Sequence, residues 1–147
     1  MRSATYVAVL ALSGMLQPSA MAGDWKTTVD KSEASGISYC SIDTGSGLIV
    51  ALVMEDDGPT RWAVSIGYSN EPGSPRYLKV DQRRFYTTKD WFSPGDSDEI
   101  VFALSKGETA AIEWTHWPDL QVRREKIALT GFAGAASKCE KELAEGQ

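Results

Sequence analysis

The chain has 147 residues, and its 20 acidic against 15 basic side chains give a formal net charge of −5 at pH 7. This acidic balance argues against a general nucleic-acid-binding protein, which usually carries a basic domain or a basic stripe. It remains compatible with a basic protein partner, because opposite net charges speed the encounter of two proteins.

The first 22 residues have the layout of a secretory signal peptide. A lone charged residue, Arg2, precedes an apolar run over residues 6–16, and the small-residue triplet Ala20-Met21-Ala22 follows. The pattern predicts cleavage after this triplet, which leaves residues 23–147 as a single β-rich domain, periplasmic or secreted. The apolar run is shorter than the roughly 20 residues that span a bilayer. We therefore expect no transmembrane segment after processing.

The two cysteines, Cys40 and Cys139, lie near opposite ends of the predicted mature chain. In an oxidising compartment such an even pair predicts one disulfide. A redox-active pair is disfavoured, because redox motifs keep their cysteines close in sequence, as in C-x-x-C. With a single histidine in the chain and both cysteines bonded, a zinc site is not expected. The sequence predicts no metal and no cofactor.

Short segments of strand character, separated by turn residues, dominate the chain up to about residue 129. In 61–68, large apolar side chains alternate with small or polar ones, which places them on one face of a strand. The run 48–54 is continuously apolar and predicts a central strand that is buried on both faces. Segment 99–104 fits a strand or a helix, and we favour a strand because a turn and a candidate antiparallel partner follow it. The predicted strands are 37–42, 48–54, 61–68, 77–80, 84–88, 99–104, 109–115 and 120–129.

The last segment changes to helical periodicity. Phe132, Ala136, Cys139 and Leu143 are spaced by four, three and four residues, which makes one apolar stripe of an α-helix. The predicted fold is therefore mainly β: an antiparallel β-sandwich or open barrel, with one C-terminal α-helix stapled to it by the disulfide.

Residues able to carry catalysis are few, and we predict no catalytic residues and no enzyme activity. The chain has one histidine, His116, and it has no G-x-S-x-G motif that could supply a serine nucleophile for this histidine. Carboxylates cluster at residues 55–57 and 96–99, and the simplest interpretation of both clusters is a solvated acidic turn. A small hydrolase remains an alternative if acids from the two clusters meet in a cleft.

Aromatic residues are the richest candidates for binding. The chain has five tryptophans, and the alternating pattern assigns Trp62 to the core. Trp91 and Trp117 fall in predicted loops beside prolines, where an exposed ring can anchor a partner. The alternative is that these rings cap the ends of the core. We predict Trp91, Trp117 and the adjacent His116 as candidate partner-binding residues.

The segment 127–132, Ile-Ala-Leu-Thr-Gly-Phe, followed by an alanine-rich helix, resembles the end of the invasion-associated locus B family. The early Trp25 and the first cysteine 15 residues later are similar in style. This resemblance implies an extracytoplasmic, non-catalytic protein at the cell envelope. Our leading hypothesis is accordingly a non-enzymatic periplasmic or secreted protein that binds a macromolecular partner there.

A second resemblance concerns residues 35–39, Ser-Gly-Ile-Ser-Tyr, together with Thr88-Lys89. These segments look like parts of the two motifs of periplasmic inhibitors of C-type lysozyme, which are disulfide-linked β-barrels. The resemblance implies an alternative function, inhibition of a lysozyme-type hydrolase by a loop inserted into its cleft. A protruding loop that carries Tyr39, Thr88 and Lys89 together is the expected sign of that function.

Overall fold

The computed structural model describes residues 24–56 and 58–145. The predicted signal peptide, residues 1–22, lies outside the described residues. In the described part, eight strands and two helices follow one another along the chain. They are β1 (Lys26–Lys31), β2 (Ile37–Asp43), β3 (Leu48–Glu55), β4 (Thr60–Ile66), β5 (Arg76–Val80), β6 (Arg83–Thr87), α1 (Pro94–Lys106), β7 (Thr109–Thr115), β8 (Val122–Ala128) and α2 (Phe132–Glu145).

The strands form two antiparallel sheets of four strands each. The first sheet has the order β1-β2-β3-β4, and the second has the order β6-β5-β7-β8. This confirms the predicted mainly β, antiparallel fold, and two separate sheets are a sandwich-like arrangement. Buried side chains from both sheets and both helices form one continuous hydrophobic cluster.

The inner face of the first sheet follows from alternation along its strands. Cys40 and Ile42 of β2 lie opposite Leu52 and Val50 of β3, and all four are buried. Val64 of β4 lies opposite Val50 in turn and is also fully buried. The inner face therefore holds a block of aliphatic side chains onto which the helices pack.

Residues 99–104 belong to helix α1, so the predicted strand there is wrong. Ser93 caps the helix by accepting a 3.2 Å hydrogen bond from the Asp96 N–H, and Pro94 fits the first helical turn. The carboxylates of 96–99 are thus at a helix N-terminus, where negative charge is favourable. The buried side chains follow the i, i+3, i+4, i+7 pattern of one helix face; they are Ser97, Ile100, Val101 and Leu104.

The C-terminal helix α2 packs against β1 and β2, and its predicted stripe is confirmed. Phe132, Ala136, Cys139 and Leu143 are all buried. Cys139 forms a disulfide with Cys40, which closes a loop with a sequence separation of 99. Of the helices in residues 24–56 and 58–145, none has the length and apolar character needed to cross a bilayer.

Trp114 of β7 joins the second sheet to the first. Trp114 is 1% exposed. A Cβ atom placed on Gly47 would lie 2.7 Å from the Trp114 ring, and one placed on Gly67 would lie 2.6 Å from it, so a side chain at either position would collide with the ring. Gly67 also has a φ of +83°, which other residues rarely adopt. A second link is the 2.6 Å hydrogen bond from the Gly47 N–H to Glu125 of β8.

Removal of the disulfide by Cys40→Ala with Cys139→Ala is expected to lower the free energy of unfolding by about 2–5 kcal/mol, because the open chain regains loop entropy. A denaturant melt of the double variant measures the loss. Wild-type protein in a reducing buffer is the control and should show a similar loss. A decrease below about 1 kcal/mol would show that packing alone fixes α2.

Candidate functional site

The outer face of the first sheet forms an open apolar groove. Its volume is about 520 Å³. We call this surface the apolar groove, and its main apolar side chains are Ile37, Tyr39, Ile49, Val53, Ala63 and Trp91. Strands β2, β3 and β4 supply the floor, and the segment before α1 supplies Trp91.

The groove exists because β3 is apolar on both sides while helices pack on only one of them. Residues 48–54 were predicted to be buried on both faces; on the outer side this holds for Ala51, at 8% exposure, and is wrong for Ile49. Leu48, Val50 and Leu52 point inward and are at most 2% exposed, whereas Ile49 points outward and is 37% exposed. In the described part of the chain, the helices lie on the inner side of this sheet.

The segment between β6 and α1 runs beside β4 and positions Trp91. The Phe92 N–H donates a 2.9 Å hydrogen bond to the Val64 carbonyl, and the Ser65 hydroxyl donates a 2.8 Å bond to the Asp90 carbonyl. Phe92 is buried at 4% exposure, while Trp91 is 48% exposed and lines the groove.

A buried arginine holds this segment from the other side. Arg76 is 2% exposed, and its guanidinium donates a hydrogen bond to the Lys89 carbonyl. A second guanidinium nitrogen lies 3.5 Å from a carboxylate oxygen of Asp90. The sequence analysis missed Arg76, although it shares the inward-facing phase of Leu78 and Val80 in β5. Arg76 is a positioning residue for Trp91.

Polar groups border the groove. The Tyr39 hydroxyl lies 3.3 Å from a carboxylate oxygen of Asp30, and Arg61 forms a 2.8 Å ion pair with Glu55. Both partners of the ion pair are about half exposed, so it contributes little to stability. The groove thus combines an apolar centre with a hydrated, charged border.

His116 and Trp117 lie together in the turn between β7 and β8. The turn is closed by backbone hydrogen bonds of 2.8 Å from the His116 N–H to Gln121 and from the Leu120 N–H to His116. Trp117 is 50% exposed and Leu120 is 51% exposed, so the turn presents two apolar side chains to solvent. The Tyr68 ring packs edge-on against His116 at 5.9 Å between centroids.

Hydrogen bonds fix the polar side of this turn. Nδ1 of His116 lies 3.2 Å from Asp119, and Arg123 donates a 2.9 Å bond to the same carboxylate. The pKa of Asp119 is lowered, mainly because the Gln121 N–H donates to it; desolvation opposes this, and His116 and Arg123 lower the pKa further. A carboxyl group whose pKa is lower in the folded than in the unfolded protein stabilises the fold at pH values above the unfolded-state pKa. That stabilisation is lost as the pH falls through the folded-state pKa.

The structure brings two of the three predicted binding residues together. His116 and Trp117 share the 116–121 turn, and no residue of that turn lines the apolar groove, where Trp91 lies. Tyr39 was a candidate only for the alternative inhibitor function, and Ile49 was missed as a binding candidate. The signal that could have found them is the apolar character of outward positions in β2 and β3.

The two acidic clusters pair with different arginines. Glu55 pairs with Arg61 in the β3–β4 hairpin, and Glu99 of α1 pairs with Arg83 of β6, each at 2.8 Å. Asp57 lies outside the described residues. Among the residues that are described, no three of the types His, Cys, Asp and Glu are grouped to hold a metal ion.

The residues of the lysozyme-inhibitor resemblance occupy different elements. Tyr39 lies in β2 with its ring on the groove, whereas Thr88 and Lys89 follow β6. The three residues therefore share no loop.

Comparison with protein-family models, with curated proteins and with solved structures finds no significant match. The resemblance of residues 127–132 to the invasion-associated family stays a prediction.

Trp114→Ala and Trp117→Ala are expected to differ sharply in stability. Trp114 is fully buried between the sheets, so its truncation should cost about 3–5 kcal/mol, whereas Trp117→Ala should cost less than about 1 kcal/mol. Trp62, predicted as core, is half-buried against the cluster and should fall between them. Denaturant melts measure all three. Unfolding of Trp117→Ala as severe as that of Trp114→Ala would make Trp117 a core residue.

Arg76→Met is expected to loosen the segment that carries Trp91. Loss of a charged hydrogen bond weakens the closed state of the segment, so exchange of the Phe92 amide hydrogen should accelerate by about tenfold or more. Native-state hydrogen exchange by NMR measures this rate. The control is Arg83→Met, which removes an exposed arginine paired with Glu99. Unchanged exchange at Phe92 in Arg76→Met would refute the positioning role.

Proposed function

We propose that this chain is a non-enzymatic periplasmic or secreted protein that binds a protein partner at the cell envelope through the apolar groove. The observation that carries the proposal is the half-exposed Trp91, fixed by backbone hydrogen bonds and Arg76 over an apolar sheet face. A ring held in place before binding loses little side-chain entropy when a partner covers it.

The composition of the groove favours a protein as the occupant. Tryptophan, tyrosine and arginine are the residues most enriched among those that dominate binding energy in protein interfaces. The groove offers Trp91, Tyr39 and Arg61, with aliphatic side chains between them. An apolar centre with a polar border is also the usual anatomy of such interfaces.

The charge of the chain and its disulfide support the rest of the proposal. A net charge of −5 favours encounter with a basic partner. The Cys40–Cys139 disulfide is of a kind that persists in oxidising compartments. The predicted signal peptide and the family resemblance at residues 127–132 point to the same location.

A photo-crosslinking amino acid at position 49 tests the proposal in the native envelope. This position lies in the groove, and position 102 on the exposed side of α1 is a matched control, because Phe102 is 60% exposed. We expect a discrete cross-linked protein at position 49 and none at position 102. An equal yield at both positions, or none at position 49, would refute the groove as the binding site.

Trp91→Ala is expected to weaken binding of the cross-linked partner by about tenfold or more, while stability changes by less than about 1 kcal/mol. Phe102→Ala also removes an exposed aromatic ring and should leave both quantities unchanged. The measurements are a denaturant melt and titration calorimetry with the purified partner. Equal affinity of wild type and Trp91→Ala would contradict the proposed anchor.

Inhibition of a lysozyme-type hydrolase is the second candidate, and one observation favours it. Tyr39, which belongs to the resembling motif, borders the groove beside Trp91. A C-type lysozyme is basic as a class and suits the acidic chain. If the protein binds a C-type lysozyme and slows the enzyme, and Trp91→Ala abolishes both effects, this candidate is favoured. If the protein does not bind lysozyme, the candidate is refuted, and the partner is then identified by cross-linking.

A further inference from the structure

The outer face of the second sheet has a chemistry opposite to that of the apolar groove. Outward positions of β5, β6, β7 and β8 form an open groove of about 420 Å³. We call it the cationic face, and its charged residues are Lys79, Arg84, Glu113, Arg124 and Lys126. Glu125 also lines the groove, with its carboxylate accepting a hydrogen bond from the Gly47 N–H. Four cations against two carboxylates give this face a formal charge of +2 on a chain whose net charge is −5.

Three of the cations lie in one row across the strands. Arg84 is opposite Lys79, Lys79 is opposite Ala111, and Ala111 is opposite Lys126. Adjacent strands are about 4.8 Å apart, so the row is about 14 Å long. The small side chain of Ala111 leaves the centre of the row open between flanking cations.

These three cations have no ion-pair partner within residues 24–56 and 58–145. The carboxylate of Glu113 lies 2.9 Å from Arg124 and is paired with that residue. Placing Lys79 directly opposite Arg84 opposes folding, because like charges across a strand pair repel. A repulsive row therefore gains stability from an anion that binds along it.

Two tyrosines extend the face beside the cations. Tyr77 and Tyr86 lie opposite each other, with ring centroids 6.3 Å apart. They are 46% and 66% exposed. The rings form an aromatic platform in the next row, where the order across the sheet is Tyr86, Tyr77, Glu113 and Arg124.

We propose that the cationic face binds an acidic polysaccharide, a chain of sugar rings that carry carboxylate or sulfate groups. Sugar rings present C–H groups that pack on aromatic faces, which suits the tyrosine platform. Their anionic groups would meet Lys79, Arg84 and Lys126, and arginine donates paired hydrogen bonds to a carboxylate or a sulfate. This site is separate from the apolar groove and does not depend on the function proposed for it.

A polysaccharide fits the face better than a single-stranded nucleic acid does. Glu113 lies within the platform row, where its carboxylate can accept hydrogen bonds from the free hydroxyls of sugar rings, which a DNA backbone does not offer. The disulfide also indicates an oxidising compartment, where acidic glycans are common polyanions. An open cationic groove with aromatic rings is otherwise shared by both classes of binder.

Titration calorimetry at low ionic strength tests the proposal with a hexagalacturonate and with a heparin hexasaccharide as probes. We expect at least one of them to bind, and affinity to fall as salt screens the charges. Lys79→Gln with Lys126→Gln should weaken that binding by about tenfold. The control, Lys138→Gln with Lys141→Gln, removes the same charge from exposed positions of α2 and should change affinity less than about twofold.

A second pair of variants tests the platform. Tyr86→Ala should weaken the same probe several-fold, whereas Tyr68→Ala, at an exposed tyrosine outside this face, should have no effect. The row variant should also melt at a slightly higher temperature without the probe, because a like-charge pair is removed. Absence of binding by both probes, equal losses in the row and control variants, or tighter binding of an oligothymidylate at this face would overturn the proposal.

Discussion

Burial of Trp114 is the interaction on which the arrangement of the two sheets depends. Its ring fills the space that side chains on Gly47 and Gly67 would occupy, and both glycines flank strands of the first sheet. Away from this contact, α1 packs against β4 of the first sheet and β5 and β6 of the second, while α2 packs against β1 and β2. The inner faces are thereby used for stability, and in the described part of the chain both outer faces stay open to solvent.

The sequence predicted most of this fold because most strands bury only one face. Alternation located β4, and the four-three-four stripe located α2 together with its disulfide. Strand β7 was located as the antiparallel partner of a strand that is in fact helix α1. Strand β1 escaped prediction because it is an exposed edge strand with almost no apolar side chain. Helix α1 was mistaken for a strand because its apolar residues form a short run; the capping signal of Ser93-Pro94 would have corrected the assignment.

The candidate site was harder to predict, because it depends on contacts between residues distant in sequence. Composition singled out Trp91, but its position over the groove depends on Arg76 and on the edge of β4. A continuous apolar run such as β3 is also compatible with two arrangements. Both faces of the strand can be buried, or one face can be buried while the other binds a partner. Only the placement of both helices on one side distinguishes these cases.

Net charge was a poor guide to the second sheet for a related reason. An excess of acidic residues over the whole chain argues against binding to polyanions only if the charges are mixed evenly. Period-two alternation instead concentrates cations on one face, since every second residue of β5, β6 and β8 points outward. The same alternation that builds an apolar inner face therefore separates charge in space, and a chain of net negative charge can carry a locally positive surface. Charge counted by strand face, rather than by chain, is the quantity that bears on binding.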